Sequence, residues 1–247
     1  MKPPLSLAGK NCLITGASRG IGLAIAQRFA AEGASCTLVA RDRQALEQAL
    51  ETLPVHSHPH AVRAFNVVGE AAWEQWQTEL KKSQKKIDIL VNAAGMAQNS
   101  FLVKMKSGNM RNLVDSNLIG TMLGCQHAIP LMMKQNSGCI VNISSLLAIR
   151  GGHGASVYAA SKAGIVAFTR SLAWEVGRFG IRASVLLPGY IDTKMTSGMD
   201  SDGKLSATIP LGRLGNVDEV ADAALFLAQN PYAHNCVLNL DGGLSAT

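Results

Sequence analysis

A single-domain α/β fold, doubly wound about a seven-stranded parallel sheet with helices on both faces, is what the sequence predicts over residues 1–247. Three observations predict it. Short apolar runs alternate with helix-period stretches along the whole chain. No linker, internal repeat or low-complexity tract interrupts that alternation. The chain has 247 residues, 47% of them hydrophobic and 16% charged, which suits one domain with a substantial core and excludes disordered and fibrous classes.

The elements follow in order. The run Asn11–Thr15 predicts the first strand, and Ile21–Glu32 the helix after it. Cys36–Ala40 and Arg43–Leu53 form the next pair, with Asp42 placed to cap the helix N-terminus. Ala61–Asn66 precedes the helical stretch Glu70–Gln84, and a cluster of lysines around residues 81–86 suits that helix's C-terminal end. Ile87–Asn92 precedes the long apolar stretch Met110–Lys134, and Cys139–Ile143 precedes Val157–Phe179. Ala183–Leu187 leads into Pro188–Gly215, a long segment carrying Gly198, Gly203, Met195 and Met199 that is expected to act as a lid over the carboxyl edge of the sheet. Asn216 and Glu219 are spaced as a capping box for the helix Val217–Ala228, and Cys236–Leu240 is the seventh strand. Strands this apolar belong to a parallel sheet covered on both faces.

Composition narrows the function. Lys plus Arg number 23 against 17 Asp plus Glu, giving +6, and the excess is scattered, so anionic ligands are favoured without the basic stripe of a nucleic-acid binder. Five separated cysteines with no C-x-x-C pattern predict reduced, buried thiols. No apolar stretch reaches the roughly 18 residues that span a bilayer, and Met1–Leu5 lacks a signal-peptide core. The expectation is a soluble intracellular protein, of the cytoplasm or the mitochondrial matrix, with no membrane or nucleic-acid partner. The tract His56-Ser57-His58-Pro59-His60 has no Cys or carboxylate beside it, so no metal is expected.

Glycines 16, 20 and 22 are spaced G-x-x-x-G-x-G between the first strand and its helix. Such a turn brings backbone close to a pyrophosphate and aims a helix N-terminus at its charge, as in a Rossmann fold. Gly16, Ser18, Arg19, Gly20, Ile21 and Gly22 are therefore candidate cofactor contacts. At the end of the second strand an acid would hold a ribose hydroxyl and an arginine a 2′-phosphate. Asp42 could be that acid. Read as the helix cap, it leaves Arg41, with Arg19, to clamp a 2′-phosphate, and NADP (as NADPH) is preferred.

Downstream lie the residues of the chemistry. Tyr158 and Lys162 are i, i+4 neighbours on one helical face, where an ammonium would lower the phenol pKa and suit it to proton transfer. Ser144 and Ser145 follow the fifth strand, placing a hydroxyl near a substrate oxygen. Asn92, Ala93, Ala94 and Gly95 follow the fourth and give a ligand room to approach the sheet edge.

These motifs, with Thr15, Asn117 and Pro188-Gly189-x-x-x-Thr193, resemble those of the short-chain dehydrogenase/reductase family over essentially the whole chain. Ser145 is preferred to Ser144 because it precedes Tyr158 by 13 residues, the family's usual spacing. Within the family the chain is most similar to the 3-oxoacyl-[acyl-carrier-protein] reductases, through Ser156–Gly164, Ile209-Pro210-Leu211-Gly212-Arg213 and the ending Leu240-Asp241-Gly242-Gly243. The resemblance implies a catalytic set of Asn117, Ser145, Tyr158 and Lys162. It also implies nucleotide contacts from Asn66, Asn92, Ala93, Gly95, Tyr158, Lys162, Pro188, Gly189, Ile191 and Thr193. Asn66 stands where the family often has an adenine-binding Asp. Asn117 would keep a water that refills the proton through Lys162.

The implied substrate is an acyl-carrier-protein thioester, with a free ketone, quinone or alcohol as the enzymatic alternative and a non-catalytic nucleotide-binding subunit as the alternative of another class. Lys134, Arg150 and Arg178 are candidate carrier contacts near the mouth. The apolar helices Met110–Lys134 and Val157–Phe179 would bury their outer faces against copies of the chain, and the resemblance implies a homotetramer or a related hetero-oligomer.

Overall fold

The computed structural model describes residues 6–55, 59–98 and 100–246. Strands β1 (Asn11–Thr15), β2 (Ser35–Ala40), β3 (Ala61–Ala64), β4 (Ile89–Asn92), β5 (Gly138–Ile143), β6 (Ile181–Pro188) and β7 (Val237–Leu240) form one sheet in the order β3-β2-β1-β4-β5-β6-β7. Every pairing is parallel. The helices are α1 (Gly20–Ala31), α2 (Arg43–Glu51), α3 (Glu70–Ser83), α4 (Ser107–Val114), α5 (Gly120–Gln135), α6 (Leu147–Arg150), α7 (Ser156–Val176), α8 (Lys204–Ala207) and α9 (Val217–Gln229).

Buried side chains of α1, α2 and α9 fill one face of the sheet, including Ile25, Phe29, Leu46 and Leu227. Those of α3, α5 and α7 fill the other. At the centre of that second layer Trp73 is fully buried; its indole N–H donates to Val67 O at 2.8 Å, and its ring meets Phe65 and Trp76 edge-on. The strand order reverses between β1 and β4, so the crevice that binds ligands in such sheets opens at their carboxyl ends.

Two expectations are corrected, and the expected lid proves to carry structure of its own. The strand predicted as Ala61–Asn66 stops at Ala64, which leaves Asn66 in the turn that precedes α3. The helix predicted as Met110–Lys134 starts earlier and is interrupted: between α4 and α5 the turns widen to π geometry over Asp115–Ile119. There the Thr121 hydroxyl takes the carbonyl of Asn117 at 2.8 Å, and such widened turns recur at functional sites. The segment Pro188–Gly215 is not a free loop. Pro188 ends β6, Ile191 bridges Gly215, and α8 lies within it, its Leu205 and Ser206 N–H groups donating to the Asp200 carboxylate.

Candidate active site

The glycine turn is built for close approach. Gly16 has φ +68°, and a Cβ there would lie 2.8 Å from Ala93 O and the Ala94 backbone. A Cβ on Gly22 would collide with Gly16 O. The Thr15 hydroxyl ties the two loops together by accepting the Ala93 and Ala94 N–H groups at 3.1 and 3.2 Å. Helix α1 starts after extended Arg19 with no side chain capping it, which leaves first-turn N–H groups for an anion. Gly20 lies close to the Thr193 methyl group, so the turn and the β6 loop meet across the crevice.

Arg19 and Arg41 are exposed, and neither forms an ion pair among the described residues. Asp42 caps α2, accepting the Ala45 N–H at 3.1 Å. The acid is thus engaged, while both guanidinium groups remain open to an anionic ligand. These features fit a nicotinamide dinucleotide.

Ser145 and Tyr158 come together: burial pushes the phenol pKa up, the interaction with the Ser145 hydroxyl holds it down, and the neighbouring Tyr190 adds to the rise. Burial wins, and the Tyr158 pKa lies above its ordinary value. This corrects the expectation that Lys162 sets the phenol low. The Lys162 Nζ lies 5.8 Å from the phenol ring centroid and donates to Ile143 O at 2.9 Å. Burial pushes the Lys162 pKa down to about 8. Ser144 turns away and donates to Lys162 O at 2.7 Å, so Ser145 alone of the pair meets the phenol.

Asn117, fully buried in the widened turn, accepts the Met96 N–H at 2.7 Å and donates to Met96 O at 3.1 Å and to the Ser161 hydroxyl at 3.0 Å. A Cβ on Gly95 would lie 3.2 Å from Asn117 Oδ1 and 3.5 Å from Lys162 Nζ, so glycine keeps open the space between them.

Other predicted contacts are placed differently. The Asn92 side chain points inward, donating to Asn142 Oδ1 at 2.9 Å, and its own Oδ1 is buried without a partner. Ile191 packs into the core with α1 and α9. Asn66 is exposed beyond β3, and Pro188 and Gly189 lie where β6 leaves the sheet. Arg150 sits on α6, close behind Ser145. Arg178 does not share that place: it follows the far end of α7, about 30 Å of helix rise from Tyr158. Lys134 is likewise at the far end of α5 from Asn117. His56 and His58 lie outside the described residues; His60 accepts the Cys36 N–H at 3.0 Å, and among the described residues no cluster suited to a metal occurs. None of the five cysteines forms a disulfide. Among the described residues no helix is long and apolar enough to cross a membrane.

Sequence reasoning missed Gln98 and gave Thr15 and Ser161 no role beyond their place in a motif, yet all three bind the surroundings of the crevice together. Their partners lie 3 to 79 residues away in the chain.

A family model described as enoyl-(acyl carrier protein) reductase matches residues 16–245. The 3-oxoacyl-[acyl-carrier-protein] reductase of Bos taurus is 39% identical over 238 residues, covering 96% of this chain and 99% of the relative. Carbonyl reductase family member 4 of Xenopus tropicalis is 37% identical over 235 residues, covering 95% and 98%. A crystal structure of a protein assigned as a gluconate dehydrogenase of Agrobacterium tumefaciens superposes with a TM-score of 0.94 at 28% identity, covering 98% of each chain. With its sheet order, its crevice and these relatives in agreement, the chain belongs to the short-chain dehydrogenase/reductase family of nicotinamide-dependent oxidoreductases.

Proposed function

We propose that the protein reduces the 3-oxo group of an acyl thioester on acyl carrier protein to the 3-hydroxyacyl form, with NADPH as reductant, in fatty acid synthesis. The observation that supports this reading is the placing of the Lys162 Nζ 5.8 Å from the Tyr158 ring centroid, with Ser145 beside the same phenol. Bound nicotinamide would supply hydride to the carbonyl carbon.

The chain's own residues do the rest. Tyr158, kept protonated by its raised pKa, gives its proton to the substrate oxygen as negative charge develops there. Ser145 donates to the same oxygen and fixes its position. Lys162 has one N–H on Ile143 O and others free to take the hydroxyls of the nicotinamide ribose. Asn117 holds Met96, and with it the loop after β4, so that Gly95 faces Lys162 without obstruction. Arg19 and Arg41 would hold the 2′-phosphate, and Asn66 the adenine edge. Loops leaving β4, β5 and β6 present exposed Phe101, Leu102, Ile149, Met195 and Met199, an apolar rim suited to an acyl chain.

A second reading, reduction of free ketones or quinones, draws support from the carbonyl reductase relative. Steady-state kinetics with NADPH and NADH, on an acetoacetyl carrier-protein thioester in competition with a small ketone, separate the two. The proposed reading expects the thioester and NADPH to be preferred; preference for the ketone would overturn it. Arg41→Asp is expected to weaken NADPH at least tenfold more than NADH; an equal loss for both would remove Arg41 from phosphate recognition.

A further inference from the structure

We infer that Gln98 is a positioning residue for Tyr158, fixing the backbone of the phenol's residue from a different loop. Helix α7 starts without a cap of its own: Ala155 stands at the N-cap and has no side chain able to accept a hydrogen bond. Gln98, 59 residues away and beyond β4, supplies the missing acceptor. Its Oε1 takes the Val157 N–H at 2.9 Å and the Tyr158 N–H at 3.1 Å, while its Nε2 donates to Ser100 O at 2.7 Å. One side-chain oxygen thereby satisfies two of the orphan donors of the first helical turn.

The same loop holds the other side of the residue. The Tyr158 carbonyl accepts the Ser161 hydroxyl at 2.7 Å; Ser161 Oγ in turn accepts from Asn117 Nδ2 at 3.0 Å, and Asn117 Nδ2 also donates to Met96 O at 3.1 Å. The backbone N–H and C=O of Tyr158 are both tied to Met96–Gln98. The segment that borders the crevice after β4 thus sets where the first turn of α7, and with it the phenol, stands against Ser145. An acceptor at residue 98 is required, since a helix N-terminus carries donors only. Loss of it would release the turn and displace the hydroxyl, and a shift of about 1 Å in a reacting group can cost about a hundredfold in rate.

This rests on the reading of Tyr158 as proton donor. Gln98→Met keeps the volume and removes the acceptor; Gln98→Glu keeps the acceptor for Val157 and Tyr158 and gives up only the donor to Ser100 O. With NADPH and an acetoacetyl thioester, Gln98→Met is expected to lower kcat about ten- to a hundredfold. The nucleotide Kd should stay within about twofold, and the solvent deuterium isotope effect on kcat should rise as proton transfer becomes limiting. Gln98→Glu is expected to hold kcat within about threefold of the parent. A Gln98→Met enzyme as fast as the parent would overturn the inference. So would a slow one with an unchanged isotope effect, or a Gln98→Glu enzyme as slow as Gln98→Met. If Gln98→Met does not fold, Gln98→Glu decides alone: a rate tenfold below the parent contradicts the positioning role. Tyr158→Phe run in parallel separates the levels. A fast Tyr158→Phe removes the proton donor itself, whereas a slow Tyr158→Phe beside a normal Gln98→Met removes only Gln98.

Discussion

At the scale of single residues, Lys162 shows the tension between stability and function. The residue is 5% exposed, and its ammonium has no carboxylate beside it, only the Ile143 carbonyl. Burial disfavours the charged form and brings its pKa from 10.5 to about 8. The folded state therefore binds that proton less tightly than the unfolded state does. Its cost to folding is full below about pH 8 and is relieved as pH rises towards 10.5; at one pKa unit per 1.36 kcal/mol it is about 3 kcal/mol. Lys162→Met is accordingly expected to be more stable than the parent at pH 7 in denaturant titration, with an advantage that shrinks towards pH 10. The same variant should lose carbonyl reduction. Lower stability at pH 7 would show that the ammonium is better compensated than its surroundings indicate.

At the scale of elements, the crevice is assembled from loops that approach one another too closely for side chains. Gly95→Ala is expected to keep the fold and slow turnover at least tenfold, because its methyl group would stand 3.2 Å from Asn117 Oδ1 and 3.5 Å from Lys162 Nζ. Circular dichroism with steady-state kinetics checks both halves; an alanine enzyme with the parent's rate would show that this space can yield. The strands, the glycine turn and the Tyr158–Lys162 pair were legible in the sequence because each depends on neighbours within a few positions. What was not legible depends on distant partners. The π turn at Asp115–Ile119 breaks no apolar period, so the stretch around Asn117 read as one helix. Asn92 looks like a ligand contact by its place at a strand end, yet its side chain faces Asn142 on the next strand. Gln98 sits in an unremarkable polar stretch, and only the fold brings it to α7. Arg178 and Lys134 could have been placed from helix length alone, since each is a whole helix away from its active-site residue.

At the scale of the whole molecule, one sheet edge carries the chemistry and the outer helices carry a second character. Ile129, Met133, Leu172, Trp174, Val176 and Phe179, with Glu175 and Arg178 among them, line a groove of about 500 Å³ across α5 and α7, and Trp174 is 85% exposed. Apolar surface of this kind favours association between copies of the chain. Trp174→Glu is expected to lower the assembly size read by sedimentation velocity, and parent-like sedimentation would place any subunit contact elsewhere. Everything the fold gathers at the carboxyl edge converges on one hydroxyl group. In a single turnover with saturating NADPH and an acetoacetyl thioester, Tyr158→Phe is expected to lose about 10²- to 10⁴-fold in the rate of nucleotide oxidation with nucleotide affinity retained. A Tyr158→Phe enzyme that oxidises NADPH as fast as the parent would contradict proton donation by Tyr158.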